Sequence, residues 1–165
     1  MKRALFLLLF LSACAPSAVR PTATIFPTAQ PIQALPTPDL EMESAFTEAR
    51  ATLDEFILYI SIPKEREFVA LKVRFALPGE TTQDIWCDEV TYEVGQFTGN
   101  MGDDIPSLKL SFDERVIISK TDIVDWMIVE NGKLIGGFTI RVAYSRMTPE
   151  EQQLFLNDAG YSVDE

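Results

Sequence analysis

Carboxylates supply most of the side chains in this sequence that could do chemistry. Four groups stand close along the chain: Asp88-Glu89, Asp103-Asp104, Asp113-Glu114, and Asp122 with Asp125. Paired carboxylates act as general acid and base, as in glycoside hydrolysis, when two of them are held apart in different environments. Adjacency in sequence does not supply that arrangement, because neighbours in a strand point to opposite faces. Asp103-Asp104 with Asn100 offers oxygens that a hard cation accepts, but the spacing is not that of an EF-hand, and no metal is expected. Asp122 and Asp125, three apart, suit the capping of backbone amides better than catalysis. The chain has no histidine. Ser-His-Asp and Cys-His nucleophilic sites are therefore excluded, as is any His-ligated metal. No catalytic residue is assigned and no cofactor is expected.

Aromatic and basic side chains give the second kind of chemistry, recognition. Trp86 and Trp126 each offer a broad apolar face and one N–H donor, which can stack on a sugar or a peptide, although aromatics in strands are also ordinary packing. In the run DWMIVENGKLIGGFTIR, Asn131-Gly132 is a strong hairpin signal, because a type I′ turn needs φ > 0 at both central positions. Counting outward pairs Glu130 with Lys133, Val129 with Leu134, Ile128 with Ile135, Met127 with Gly136 and Trp126 with Gly137. The indole of Trp126 is then expected to lie across the glycines of the partner strand. Continuing that strand through Val142 puts Trp126, Thr139 and Arg141 on one face, a recognition patch in which Arg141 meets a carboxylate. Trp86, Trp126, Thr139 and Arg141 are thus the candidate binding residues. Cys87, next to Trp86, reads as a small buried hydrophobe rather than a nucleophile.

The N-terminus says where such a patch would work. Lys2 and Arg3 precede the apolar run ALFLLLFL and then small residues, the layout of a secretory leader. The run is too short to cross a bilayer core of about 30 Å. Leu11-Ser12-Ala13-Cys14 resembles the lipobox of bacterial lipoproteins, which implies cleavage before Cys14 and lipid on its thiol. Two or three acyl chains hold a protein stably on a membrane, where one is marginal. With Cys14 lipidated, Cys87 has no intrachain partner for a disulfide. Residues 1–13 are expected to be leader. Residues 14–38, which hold six of the ten prolines (16, 21, 27, 31, 36 and 38), are expected to form an extended spacer, with a glycosylated stalk or partner motif as the alternative. Residues 39–165 are left as one domain. Ala15 lacks the acidic residue that commonly retains lipoproteins at an inner membrane, so in a two-membrane cell the outer membrane is expected. The formal charge of −11 repels phosphate backbones, and no basic cluster offsets it, so nucleic acid is not an expected partner.

The elements that must position these side chains are legible from periodicity. Phe46, Ala49, Leu53, Phe56, Ile57 and Ile60 recur at steps of three and four, predicting one helix from Asp39 to Ile60, stopped by Pro63. Glu67 to Leu77 alternates as a strand, with Val69, Leu71, Val73, Phe75 and Leu77 on one face. Pro78-Gly79 is a turn, Asp84 to Val94 a strand, Gly95 a turn, and Gln96 to Met101 a short strand. Asn100 to Pro106 is loop, Glu114 to Ser119 a strand, and Thr121-Asp122 opens one helical turn. Thr148, Pro149, Glu151 and Gly160 punctuate a short acidic C-terminal helix, expected to cover a sheet edge or barrel mouth.

Taken together, AFTEARATLDEF, FVALKVRF, Ile85-Trp86, Phe97 to Gly99, ERVIIS, Asp122 to Met127 and Gly136 to Val142 resemble, in order, the bacterial family catalogued as domain of unknown function 2314, with its YegJ-like proteins. The chain departs from it at Gln83-Asp84, where such proteins often carry Glu-His. The resemblance implies a shared fold and no assigned activity. The expectation is an α+β domain: a twisted antiparallel sheet of five or six short strands, open or curled toward a barrel, with an N-terminal packing helix and a short C-terminal one. The expected role is a non-catalytic module, anchored in the membrane through Cys14, that binds an envelope protein or glycan. The alternative is an envelope enzyme using paired carboxylates.

Overall fold

The computed structural model describes residues 39–163. The expected leader, Cys14 and the proline-rich segment lie outside the described residues, as do the last two. Asp39 caps the first helix, α1 (Leu40–Ala51), its carboxylate accepting from the Met42 N–H. A second helix, α2 (Leu53–Ser61), follows at once. The single predicted helix is therefore broken at Thr52. The cause is a side chain entering the helical ladder: the Trp126 indole N–H donates to the Ala49 carbonyl at 3.1 Å and also to Thr52 Oγ1. α2 ends before Pro63, whose ring forces the preceding Ile62 into an extended conformation.

Six strands follow: β1 (Phe68–Leu77), β2 (Thr81–Glu93), β3 (Gln96–Met101), β4 (Arg115–Ile118), β5 (Ile123–Glu130) and β6 (Lys133–Gly136). They form one open antiparallel sheet in the order β4-β3-β2-β1-β5-β6, not a closed barrel. The predicted hairpin register holds from Glu130↔Lys133 to Met127↔Gly136. Beyond it the expectation fails. Gly136 and Gly137 both take left-handed backbone (φ 69° and 63°), which turns the chain out of the sheet, and Phe138–Ser145 forms helix α3 rather than a continuing strand. α4 (Pro149–Ala159) carries the predicted Thr148/Glu151 capping box and ends at left-handed Gly160.

Period two on the central strands separates two cores. On the first face, Leu71, Val73, Ile85, Cys87, Phe97, Trp126 and Ile128 pack against Ala49, Leu53 and Phe56 of the N-terminal helices. Each large side chain buried there contributes about 1.5–3 kcal/mol. The second face is smaller: Ala70, Met127, Val129, Leu134 and Val163, with Phe155, Leu156 and Tyr161 laid over them. α4 therefore covers a sheet face, not an edge. The outer edge of β6 is closed instead by the C-terminal segment, where the Leu134 N–H donates to Ser162 O and the Ser162 N–H to Gly132 O.

Candidate functional site

Trp126, Thr139 and Arg141 do not share an exposed face. Trp126 is 2% exposed, in the first core beside Phe56 and Phe138. Its ring does press on Gly136 as expected, since a Cβ there would meet the indole at 2.5 Å. Thr139, also 2% exposed, opens α3 and donates its hydroxyl to Asp125 at 2.6 Å. Arg141 is a staple: its guanidinium donates to the carbonyls of Gly136, Leu134 and Val163, tying the C-terminal segment to β6. The helix between Phe138 and Ser145 is the physical reason the strand-based patch does not assemble.

Asp125 explains why that helix forms. Its carboxylate accepts from the backbone N–H groups of Trp126, Phe138 and Thr139 at 2.7, 3.2 and 2.8 Å, in addition to the Thr139 hydroxyl. The free N–H groups of the first turn of α3 are satisfied by a strand residue thirteen positions earlier. Burial pushes the Asp125 carboxyl above its usual range, and the four donors pull the other way with less effect.

The remaining acidic groups serve the loops. Asp104 accepts from Phe112 N–H, Glu114 from Ser111 N–H, and Asp113 and Glu89 both accept from the Asn100 amide. Arg115 locks the same region by donating to Thr91, Thr98, Asn100 and the Glu89 carbonyl, around a bulge where Glu89 takes positive φ. Among the described residues, no group of three or more His, Cys, Asp or Glu is placed to hold a metal ion. Cys87 has no exposed surface, and burial raises its thiol to about 11.

Two of the four candidates border open space: Arg141 lines a cleft of about 620 Å³ together with Glu41 and Glu48 of α1, and Trp86 borders another. The space at Trp86 is a groove of about 600 Å³ on the second sheet face, floored by Phe68, Met127 and Val129 and flanked by Ile140 of α3 and by Phe155, Ala159 and Tyr161 at α4. That volume lies in the range of about 300–1,000 Å³ typical of small-molecule sites, and the lining is mostly apolar, as theirs is. Phe155 sits between Tyr144 and Tyr161, with ring centroids 5.7 and 6.1 Å away. Above Trp86, at 5.5 Å from the ring centroid, lies the Lys72 ammonium, which also donates to Thr139 Oγ1 at 3.2 Å. Sequence reading missed the groove because half of it comes from the C-terminal helix. The available signal was Phe155 and Tyr161, two aromatics close together in a segment otherwise read as acidic cover.

No solved structure matches this chain. Over 101 residues it is 33% identical to the uncharacterized protein YegJ of Escherichia coli (strain K12), covering 60% of this chain and 64% of that one. Over 102 residues it is 31% identical to a Neisseria meningitidis serogroup B protein described as "Putative ankyrin repeat protein", covering 59% of this chain and 40% of the other. The chain thus spans less than two thirds of the length of either curated relative. The description "Uncharacterized protein conserved in bacteria (DUF2314)" matches residues 39–163. That match runs from the Asp39 cap to Val163, the residue whose carbonyl Arg141 holds, so it takes in both cores and the groove, and the chain belongs to the DUF2314 family of uncharacterized bacterial proteins.

Proposed function

We propose that this chain is a binding module, held at the bacterial envelope by lipid on Cys14, that captures an envelope component in the groove beneath α4. The observation that carries the reading is the half-exposed indole of Trp86 at the edge of an apolar cleft whose aromatic walls come from two different parts of the fold. Aromatic rings of this kind give large contact area for little conformational entropy, which suits recognition. The alternative, an enzyme working through paired carboxylates, needs two acids converging on open space. Among the described residues the one buried carboxylate, Asp125, is ringed by four donors, and Glu41 and Glu48 border a cleft that also holds Arg141; the aromatic, apolar groove at Trp86 is the feature that favours binding.

In-cell photo-crosslinking from position 155 tests this, with a control crosslinker at exposed Asp54 of α2. One dominant adduct, formed from position 155 and not from position 54, is the expected result. Identical adducts from both positions would sink the reading.

A further inference from the structure

Helix α2 buries one apolar stripe and leaves another bare. Leu53 and Phe56 sit in the first core, with Ile57 and Ile60 packed beside them. Leu58, Tyr59 and Ile62 are instead 65%, 37% and 52% exposed. With Glu55 they follow the i, i+3, i+4, i+7 spacing of a single helix face and line an open hollow of about 370 Å³. A contiguous apolar surface of this kind marks a contact with a protein or a membrane. The end of the helix is also prepared to lose water. The last carbonyls of an α-helix lack intrahelical partners and are ordinarily hydrated. Here the Arg66 guanidinium donates to the carbonyls of Tyr59, Ile62 and Lys64. The Arg66 side chain is itself only 8% exposed.

From these observations we infer that the bare face of α2 is a second membrane contact, at which Leu58, Tyr59 and Ile62 enter the headgroup–acyl boundary of the bilayer that holds the lipid on Cys14. The inference rests on that anchor. Three arguments select a lipid surface as the occupant. A proline-rich spacer reaches about 3.1 Å per residue, so residues 14–38 keep the domain within on the order of 80 Å of the bilayer. The satisfied carbonyls at the end of α2 suit a medium that offers no donors, whereas a protein partner would bring its own. Tyr59, an aromatic ring with a polar tip between two aliphatic side chains, has the amphipathic form that settles at membrane interfaces. Charge adds nothing to the attraction, since Lys64 is paired with Glu130 at 2.8 Å and Glu55, Glu65 and Glu67 are exposed nearby. The contact is therefore weak by itself and depends on the high local concentration that the anchor supplies. It also sets an orientation. α2 packs on the first sheet face and the groove at Trp86 opens on the second, so docking through α2 turns the groove away from the bilayer.

Cys87 has no exposed surface, so with Cys14 lipidated an introduced cysteine is the one thiol open to labelling. Leu58→Cys carries an environment-sensitive fluorophore, and Leu154→Cys, a leucine equally exposed at 63% on α4, carries the same label as control. The lipidated full chain is reconstituted in phosphatidylcholine vesicles with and without doxyl-labelled lipid. The label at position 58 is expected to shift to the blue and to be quenched about threefold more than the label at 154. Tyr59→Ser with Ile62→Glu should remove most of that excess without lowering the melting temperature, since neither side chain is buried. Equal quenching at both positions, or none at either, in a chain that floats with the vesicles overturns the inference and leaves the anchor in place. A blue shift at position 58 without doxyl quenching overturns it too, assigning the face to a second copy or to another protein. A chain that does not float with the vesicles removes the anchor, and this contact with it.

Discussion

Asp125 shows how much one side chain decides. It is an acceptor placed where a strand ends near a helix start, and its four donors come from both. Replacing it by Asn keeps the shape but turns an N–H donor group toward other donors. The expected loss is about 1.5–3 kcal/mol, the worth of hydrogen bonds to a charged group, measured by urea unfolding. The pH dependence has a definite sign. Burial raises the native carboxyl above the ordinary value of 3.8, so the native state keeps this proton more tightly than the unfolded chain, and the Asp125 contribution to stability falls as pH rises from 3.8 to the native value. The stability gap between wild type and Asp125→Asn therefore narrows across that window. A gap that widens with pH would mean the four donors outweigh burial.

At the level of elements, α4 is the part least secured to the rest. None of its residues is fully buried and Leu154 is 63% exposed. Its start depends on the Thr148/Glu151 capping box, in which the Thr148 N–H donates to Glu151 at 2.8 Å and the Glu151 N–H to the Thr148 hydroxyl at 3.3 Å. Thr148→Ala is expected to cost about 1 kcal/mol locally. Hydrogen exchange should speed up in residues 149–159 while β1 and β5 stay protected; equal loosening of the sheet would contradict the independence of this roof. Elements set by local chemistry were legible in the sequence: the alternation of β1, the Asn131-Gly132 turn and the α4 cap are each written within a few residues. Two others were not. The break at Thr52 depends on an indole 74 residues away, and α3 has the Phe138, Ile140, Val142 alternation of a strand, overridden by two left-handed glycines and a distant carboxylate. The candidate site divided the same way. Trp86 sits in a long strand whose pattern is local, whereas the places of Thr139 and Arg141 hung on α3.

For the whole molecule, anchoring is the property to check. Cells fed an alkyne analogue of palmitate should tag the wild-type chain, and Cys14→Ser should carry no tag; a tag surviving the substitution would refute lipid on Cys14. The described domain stands without a disulfide, since Cys87 is buried and unpaired. If residues 14–38 tether the domain as proposed, the start of α1 is where a pull would enter it. Asp39 grips Arg146 through both carboxylate oxygens, at 2.6 and 2.7 Å, and one oxygen of Glu41 accepts two more bonds from the same guanidinium, at 3.2 and 2.7 Å. Arg146 holds the Asp39 carboxyl down to about 2, so the grip stays charged at any pH a cell meets. Tension transmitted along the preceding chain arrives at this residue first. The load falls on a solvent-exposed ion pair and the first turn of a helix before it reaches any strand. Under a steady pull, α1 would peel from its end one turn at a time, a yielding joint that spares the two central strands from shear.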